Sequence, residues 1–398
     1  MNKLSLRDVP LDDRIAVVRV DFNVPLDASS GTAMVTDDTR IRAALPTINF
    51  ILENGGHPVL LSHLGRPKGN PDPKYSLEPV GKQLAKLTNR KVRLVTDFDN
   101  PSTVRDAFDS GADIVLIENT RFEAGETKND SELAKAYAAL GDLYVNDAFG
   151  TAHRAHASTV GIAEYVDTAA MGFLLEREVD YLSRLLDEPE RPFVAIIGGA
   201  KVSDKIGVIE NLLQRVDRLL IGGAMSYTFI KSQGGSIGKS LVEDDRIDDA
   251  ADLLARASGK IVLPVDHIAA TAFDNDAEHE AVAEIPDDLM GLDIGPKTMS
   301  NYREIIMRAR TVVWNGPMGV FEMPSYSRGT IAVARALADA TRDGALTVVG
   351  GGDSVAAISQ AGLDDDVSHV STGGGAMLEF LEGKTLPGVA ALSDAVSS

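Results

Sequence analysis

The chain has 398 residues, a formal net charge of −20 at pH 7 and no cysteine. A single hydrophobic core stops growing at roughly 250–300 residues, so two domains are expected. The absence of cysteine excludes disulfides, thiolate metal sites and cysteine nucleophiles, and the negative charge argues against nucleic acid or an anionic membrane as partner.

The N-terminus reads MNKLSLRDVPLDDR. It carries charges and has no apolar segment, so we predict no secretory signal peptide. The longest apolar runs of the chain fall well short of the ~20 residues that a membrane span needs. We therefore expect a cytoplasmic protein.

Short apolar, β-branched runs alternate with amphipathic stretches along the chain. In the first half the predicted strands are 15–20, 58–63, 91–95, 113–119 and 142–147. In the second half they are 193–199, 218–223, 260–266, 311–317, 346–352 and 368–374. We predict no strand between 147 and 193. Strands that alternate with helices predict βαβ units, hence an α/β fold with parallel sheets covered on both faces.

The stretch at residues 176–192, EREVDYLSRLLDEPERP, predicts a helix between the two halves. Its apolar face consists of Val179, Leu182, Leu185 and Leu186. Pro189 and Pro192 end it, since proline cannot continue a helix. We place the domain boundary here.

In parallel sheets, ligands bind beyond the carboxyl ends of the strands. In the first half these loops read RVDFNVP, SHLGRP, ENTRF and NDAFGTAHR, and DTRIRAAL begins a helical stretch. Their polar residues are Arg19, Asp21, Asn23, Arg40, Arg42, His63, Arg66, Arg121, His153, Arg154 and His156. Each taken alone is an ordinary surface or turn residue. Together they indicate a site for phosphate or carboxylate, which guanidinium groups bind bidentately.

The loops of the second half are rich in glycine: GGAKVSDK, IGGAM, WNGPMGVFE, VGGGDS and STGGGA. Glycines between a strand and a helix let a polyphosphate approach backbone N–H groups. The polar residues of these loops are Lys201, Lys205, Asn315, Glu322 and Asp353. They suggest a nucleotide site with lysine for phosphate and a carboxylate for Mg²⁺.

Standard motifs are missing. GSIGKS at 235–240 imitates a P-loop, but position 233 is Gln233 where the motif needs glycine. There is no GxGxxG, HExxH or EF-hand loop. His153 and His156 lie three residues apart, as zinc ligands do, yet no nearby residue completes a site.

The loops together resemble the phosphoglycerate kinase family over essentially the whole chain. The matching stretches occur in the family's order: RVDFNVP, DDTRIRAALPTI, SHLGRP, ENTRF, NDAFGTAHRAHAST, GGAKVSDKI, WNGPMGVFE, GGGDS and STGGGAMLEFLEG. The resemblance implies reversible phosphoryl transfer between 1,3-bisphosphoglycerate and ADP, giving 3-phosphoglycerate and ATP with Mg²⁺. It also implies two Rossmann-like lobes, each with a parallel β-sheet flanked by helices, joined by a hinge helix.

On this basis we expect an N-terminal lobe at 1–175, a hinge helix and linker at 176–192, and a C-terminal nucleotide-binding lobe at 193–379. A segment from about 380 to 398 should return to the N-terminal lobe. The partners implied are small molecules alone, and we expect a monomer.

Site residues carry over from the family position by position. The acid-binding positions are Asp21, Phe22, Asn23, Arg40, His63, Leu64, Gly65, Arg66, Arg121 and Arg154. The nucleotide-binding positions are Lys205, Glu322, Gly351, Gly352, Asp353 and Ser354, with Asp353 as the metal ligand. The positions used in the transfer itself are Arg42, Lys201, Gly352 and Gly375. Ser354 departs from the threonine of many relatives but keeps a hydroxyl.

We interpret His153 and His156 as a supporting positive rim beside Arg154. No general base is needed, because the attacking oxygens of ADP and of the carboxylate are already deprotonated. Catalysis should rest on positioning and charge, with closure of the lobes to bring the substrates together. The alternatives are another two-lobed acyl-phosphate or small-acid kinase, and a two-lobed anion-binding protein.

Overall fold

A computed structural model of the chain describes residues 2–29, 31, 33–98 and 100–395. Its internal contacts divide the chain into two units. Unit 1 comprises Met1–Asp180 and Thr385–Ser398, and unit 2 comprises Tyr181–Lys384. Each unit contains a six-stranded sheet whose strands are all parallel. The predicted α/β fold is therefore confirmed.

Unit 1 alternates strands with helices. Its strands are β1 (Ile15–Arg19), β2 (Leu26–Asp27), β3 (Met34–Val35), β4 (His57–Leu61), β5 (Val92–Val95), β6 (Ile114–Ile117), β7 (Leu143–Asn146) and β8 (Ala169–Met171). Its helices are α1 (Thr39–Glu53), α2 (Glu78–Thr88), α3 (Ser102–Asp109) and α4 (Ser131–Ala138). Short 3₁₀ turns in the loops include Thr120–Phe122, Glu126–Lys128 and Phe149–Thr151.

The sheet of unit 1 has the order β5-β6-β4-β1-β7-β8. Strand β1 is central because its residues 16–19 are buried and β4 and β7 pair with it on either side. Its last residue, Arg19, is in register with Leu61 and Asn146. The three strands thus end at the same level, which places the loops after them side by side.

Strand β8 contradicts our prediction that no strand lies between 147 and 193. It has three residues, Ala169, Ala170 and Met171, which are all buried and pair with β7. Alanine is depleted in strands, so local composition gave no signal. The pairing partner, Tyr144–Asn146, decides the conformation instead.

Helix α5 (Phe173–Asp187) confirms the predicted helix, and it ends before Pro189. Its predicted apolar face, Val179, Leu182, Leu185 and Leu186, is buried. The division between the two units falls inside this helix.

Unit 2 repeats the alternation. Its strands are β9 (Phe193–Ile197), β10 (Arg218–Ile221), β11 (Ile261–Val262), β12 (His267–Ala270), β13 (His279–Val282), β14 (Met290–Ile294), β15 (Thr311–Asn315), β16 (Leu346–Gly350) and β17 (His369–Val370). Its helices are α6 (Ile206–Leu213), α7 (Met225–Ser232), α8 (Ile247–Arg256), α9 (Pro296–Met307), α10 (Arg328–Arg342), α11 (Gly352–Gln360) and α12 (Gly374–Leu381). The parallel sheet has the order β11-β10-β9-β15-β16-β17.

A second, antiparallel sheet in unit 2 was not predicted. Its order is β13-β12-β14. The residues of β13, His279–Val282, are mostly exposed and lack a continuous apolar run. Its neighbour β12 packs through Ala269 against Tyr227 and Ile285. These contacts are distant in sequence, so periodicity could not reveal them.

The C-terminal segment, which carries helix α13 (Pro387–Ala390), packs in unit 1. Gly388 donates its N–H to the Ala152 carbonyl at 2.8 Å and accepts from Asn146 Nδ2 at 3.0 Å. Ser393 N donates to the Ala169 carbonyl at 2.9 Å. Within the described ranges, no helix is both long enough and apolar enough to cross a membrane.

Candidate functional site

The end of β1, the first turn of α1 and the loops after β4, β6 and β7 bring a cluster of arginines together in unit 1. We call it the basic cluster: Arg19, Arg40, Arg66, Arg121 and Arg154. Burial first, and then the charges of Arg154, Arg19 and Arg66, lower the pKa of Arg121. Charges that act on one another in this way lie close together, and Arg66 and Arg154 are exposed to an incoming ligand. An anion arriving here would relieve their mutual repulsion.

His63 lies within the basic cluster but carries no charge near pH 7. It is 5% exposed, and burial, followed by the charges of Arg19, Arg121 and Arg40, holds its pKa well below the ordinary value. Its Nδ1 lies 3.2 Å from Arg19 NH2. His63 therefore offers a hydrogen bond to an anion and adds no positive charge.

The loop that carries His63 is held by neighbouring side chains. Asn119 accepts a hydrogen bond from Leu64 N at 3.2 Å and donates to the Leu64 carbonyl at 2.7 Å. Asn23 accepts from Gly65 N at 2.8 Å, and Arg121 NH1 donates to the Gly65 carbonyl at 2.5 Å. These bonds fix the backbone at Leu64 and Gly65.

Gly65 has a backbone φ of +62°, and a Cβ there would lie 2.4 Å from the Tyr75 ring. Glycine is needed at this position for both reasons. Phe22 and Leu64 point their side chains into the core of unit 1. Among the predicted acid-binding residues, Phe22, Leu64 and Gly65 have only backbone atoms to offer a ligand.

Arg40 and Arg42 face different neighbours. Arg40 NH1 pairs with Asp21, whose Oδ1 lies 3.9 Å from His63 Nδ1, so Arg40 belongs to the basic cluster. Arg42 is 59% exposed and makes a bidentate ion pair with Asp38, at 2.7 and 3.0 Å. Residues two apart on a helix lie on different faces. The structure does not bring Arg42 into the cluster.

The interpretation of His153 and His156 as positive charges is wrong for His156. Burial and the charges of Arg19 and Arg121 lower the pKa of His156 to about 4. His153 accepts a hydrogen bond through Nε2 from Arg154 Nε at 3.0 Å, which requires that nitrogen to be unprotonated. The positive charge of this loop comes from Arg154.

Sequence reasoning missed a buried network beneath the cluster. Ser158 Oγ accepts from Arg19 Nε at 2.9 Å and donates to Glu126 Oε1 at 2.6 Å. Glu126 is fully buried. No local pattern joins these residues, which come from three separate segments.

In unit 2 the glycine loops meet at the carboxyl edge of the sheet. A Cβ on Gly316 would lie 2.2 Å from the Gly198 carbonyl, and one on Gly374 would lie 3.2 Å from Gly351 Cα. Only glycine permits such backbone approach. Because α11 begins at Gly352 and α12 at Gly374, their N-termini lie next to each other. Their N–H groups form a ready site for an anion.

Lys205 and Asp353 lie beside these loops. Lys205 Nζ donates to Asn315 Oδ1 at 2.5 Å. Burial lowers its pKa, and the charges of Asp204 and Asp353 counteract this. The Asn315 Nδ2 group is buried and has no hydrogen-bond partner among the described residues. A lysine and an unused amide donor next to two helix N-termini suit a polyphosphate.

The other predicted nucleotide and transfer residues occupy different positions. Ser354 is fully buried, and its Oγ accepts from Gly316 N at 2.6 Å, so this hydroxyl fastens the loop. Lys201, Glu322 and Gly375 are exposed. Gly375 lies in the first turn of α12. No hydrogen bond or ion pair joins Glu322 to Lys205 among the described residues.

A resident metal cage is not formed by the described residues, which contain no group of three or more His, Asp or Glu side chains placed to hold an ion. Asp353 is a single exposed carboxylate in the first turn of α11. Mg²⁺ commonly takes one or two carboxylates and completes its shell with phosphate oxygens and water. The donor set fits a metal that arrives with a nucleotide.

This chain is similar to known proteins over both of its units. Residues 6–384 match the family model described as phosphoglycerate kinase. The phosphoglycerate kinase of Salinibacter ruber is 56% identical over 399 residues, covering 99% of this chain and 100% of the relative. That of Chlorobium phaeobacteroides is 54% identical over 400 residues, with coverage of 99% and 100%.

Solved structures show the same likeness. The structure of phosphoglycerate kinase from Coxiella burnetii has a TM-score of 0.88 and 42% identity, and 98% of each chain is covered. The crystal structure of the enzyme from Pyrococcus horikoshii has a TM-score of 0.82 and 32% identity at the same coverage. The similarity therefore spans nearly the full length of this chain.

Proposed function

Because this chain belongs to the phosphoglycerate kinase family, we propose that it catalyses reversible phosphoryl transfer between 1,3-bisphosphoglycerate and ADP, giving 3-phosphoglycerate and ATP. The observation that carries the proposal is the presence of two complementary anion sites in one chain. Unit 1 has the basic cluster, and unit 2 has glycine loops beside Lys205. One suits a small phosphorylated acid and the other a nucleotide.

Unit 1 binds the acid in this proposal. Exposed Arg66 and Arg154 and half-buried Arg121 neutralise its phosphate and carboxylate. Neutral His63 donates a hydrogen bond. Of the remaining acid-binding residues, Arg40 and Asp21 form an ion pair. Those at 22–23 and 64–65 offer backbone atoms to the acid.

Unit 2 binds ATP or ADP. The N–H groups at Gly352 and Gly375 face the phosphates, and Lys205 and Lys201 supply positive charge. Asp353 would hold Mg²⁺, which would neutralise phosphate charge when bound. Ser354 accepts a hydrogen bond from Gly316 N and so keeps that loop in place. Glu322, in the loop after β15, is a further nucleotide-binding residue in this proposal.

The reaction needs no general base from this chain. The nucleophile is an ADP phosphate oxygen in one direction and a carboxylate in the other, and both are already ionised. The residues therefore position two anions and stabilise the charge that spreads over the migrating phosphoryl group. Transfer requires both substrates to meet, so we propose that the lobes close during turnover.

A coupled assay tests the proposal. Purified protein with 3-phosphoglycerate, ATP and Mg²⁺ should support NADH oxidation by added glyceraldehyde-3-phosphate dehydrogenase, and omission of any one component should abolish it. Lys205→Met should lose most of this activity, because it removes the half-buried ammonium group that bonds Asn315. Lys231→Met is the matched control, since Lys231 only pairs with Asp244 on the surface.

The same assay separates the alternatives. Transfer to other small acids but not to 3-phosphoglycerate would indicate a different acyl-phosphate kinase. Tight binding of the anions without transfer would indicate a binding protein.

We further propose that the protein is a cytoplasmic monomer. The chain lacks cysteine, which suits a reducing compartment. Light scattering of the purified protein at micromolar concentration should give a mass near 42.3 kDa.

A further inference from the structure

Arg19 lies within the basic cluster but is sealed from solvent. It is 1% exposed, and each of its guanidinium nitrogens has a partner. Nε donates to Ser158 Oγ at 2.9 Å, one terminal nitrogen donates to the Val20 carbonyl, and the other lies 3.2 Å from His63 Nδ1. Arg19 cannot reach a ligand without giving up these bonds. Any effect it has on the bound acid must pass through a neighbour.

A buried carboxylate fixes the guanidinium from below. Ser158 donates its Oγ–H to Glu126 Oε1 at 2.6 Å and its N–H to Oε2 at 3.1 Å. Both carboxylate oxygens of Glu126 thus accept hydrogen bonds from Ser158. The Ser158 carbonyl in turn accepts from Tyr144 OH at 2.9 Å. The chain of bonds from Glu126 through Ser158 holds the Arg19 fork in one orientation.

We propose that Arg19 is a positioning residue that locks His63 in the tautomer with its proton on Nε2. Every guanidinium nitrogen is a donor, so the Nδ1 atom facing Arg19 must accept and carries no proton. The Nε2–H group bonds to none of the residues that the structure describes. It is the group that remains for the acid substrate, and in this respect the inference rests on the proposed function.

The tautomer matters because the ligand is an anion. With the proton on Nε2, His63 donates a hydrogen bond to a phosphate or carboxylate oxygen. With the proton on Nδ1, the Nε2 lone pair would face that oxygen and repel it. Arg19 therefore selects between an attractive and a repulsive contact, although it does not touch the ligand.

The direct test is the ¹⁵N–¹H spectrum of the His63 ring in the free wild-type protein near pH 7. The inference predicts a pyridine-like signal from Nδ1 and a pyrrole-like signal from Nε2. The opposite tautomer, a protonated ring or an even mixture would overturn it. This measurement needs neither substrate nor activity.

The variant Arg19→Lys tests the connection. It keeps the charge, but one ammonium group cannot reproduce the fork that bonds Ser158, Val20 and His63. We expect the His63 ring to become a mixture of tautomers and KM for 3-phosphoglycerate to rise about tenfold, as for a lost hydrogen bond. The KM for ATP should stay within about twofold, since it depends on unit 2.

A double-mutant cycle with His63→Gln asks whether the effect passes through the ring. In that background Arg19→Lys should raise KM no further. Additive increases would overturn the inference, because Arg19 would then act by its charge or by general loosening of the loop.

Tyr144→Phe is the matched control for lost stability. It removes the buried bond to the Ser158 carbonyl and leaves Arg19 and His63 untouched. We expect a lower melting temperature with unchanged His63 signals, and scrambled signals in this variant would overturn the inference. If the wild-type protein transfers no phosphoryl group to 3-phosphoglycerate, the proposed function fails instead, and the wild-type spectrum still decides the tautomer.

Discussion

At the scale of single residues, the positive charge of the acid site comes from arginine alone. The sequence placed Arg154, His153 and His156 together and suggested that all three are cations. Burial and the neighbouring guanidinium groups make His156 neutral near pH 7. Arginine keeps its charge under these conditions because its pKa lies far above 7. A histidine next to several arginines is thus a poor predictor of positive charge.

Arg42→Ala and Lys201→Ala are each expected to lower kcat by about 100-fold, as loss of a preorganised charge donor does. To act in this way, Arg42 would have to break its ion pair with Asp38 and bind the substrates instead. Steady-state kinetics with saturating 3-phosphoglycerate and ATP measure the loss.

Asp38→Asn is the control for Arg42, because it frees the guanidinium without removing it, and kcat should stay within about twofold. Near wild-type turnover of Arg42→Ala would refute its role in transfer. It would assign Arg42 to the ion pair with Asp38 and leave Arg40, in the basic cluster, as the transfer candidate on α1.

Asp147 makes the stability of the protein depend on pH. It is fully buried, its Oδ1 accepts from Leu174 N at 2.8 Å, and Oδ2 has no hydrogen-bond partner among the described residues. Burial raises its pKa to about 7. The folded protein then holds a proton that the unfolded chain releases near pH 4. This contribution to the free energy of unfolding is complete below pH 4 and is lost as pH rises towards 7, at up to about 1.4 kcal/mol per pH unit.

Urea denaturation between pH 5 and pH 8 measures this dependence. Asp147→Asn should lose it, while its amide oxygen still accepts the N–H groups at the start of α5. The exposed carboxylate Asp106 provides the control, and Asp106→Asn should follow the wild-type profile. An unchanged profile in Asp147→Asn would contradict the assignment.

At the scale of elements, periodicity predicted every strand of the two parallel sheets except β8. It also missed the antiparallel sheet of unit 2 and the short antiparallel pair of β2 and β3. Strand β8 is Ala-Ala-Met, and β13 is mostly exposed, so neither has the apolar run that marks a buried strand. Strand β8 is stabilised by pairing with β7, and β13 by pairing with the preceding strand β12.

The residues of the site also divide into those that the sequence predicted and those that it did not. The rule that ligands bind at the carboxyl ends of parallel strands located the loops from sequence. The partners within the loops could not be predicted, because Arg19, Glu126 and Ser158 meet only through the strand register. The exposed arginines could be predicted, and the residues that orient them could not.

Gly65→Ala tests whether the loop after β4 positions the acid. The added Cβ would meet the Tyr75 ring at 2.4 Å, and the φ of +62° is strained for alanine. We expect kcat/KM for 3-phosphoglycerate to fall about 100-fold, because a displacement near 1 Å suffices for such a loss. The KM for ATP should change little.

Gly234→Ala separates backbone strain from the collision. Gly234 has a φ of +81°, and no atom lies within 4 Å of its added Cβ. It should lose some stability with normal kinetics. Equal kinetic losses in the two variants would contradict a local role for the loop.

At the scale of the whole molecule, the chain is strongly acidic, while the acid site of unit 1 is rich in arginine. The chain has 39 aspartates against 20 glutamates, and its net charge is −20. Repulsion among these carboxylates weakens the folded state unless salt screens it. Positive charge is kept where anionic substrates bind.

We expect the melting temperature to rise between low salt and about 1 M KCl, where the Debye length falls to about 3 Å. This is the expected behaviour of a protein adapted to a salt-rich cytoplasm. Greater stability in low salt would contradict that hypothesis. A melt in sucrose at the same water activity is the control, because sucrose is excluded from the protein surface but does not screen charges.

The central claim is that the chain moves a phosphoryl group between a nucleotide and the carboxyl group of an acid. Incubation with γ-³²P-labelled ATP, Mg²⁺ and 3-phosphoglycerate tests it most directly. We expect label in an acyl phosphate that hydroxylamine releases, and return of that label to ADP when the reaction is reversed. Label that appears only as inorganic phosphate, or that stays on ATP, would contradict it.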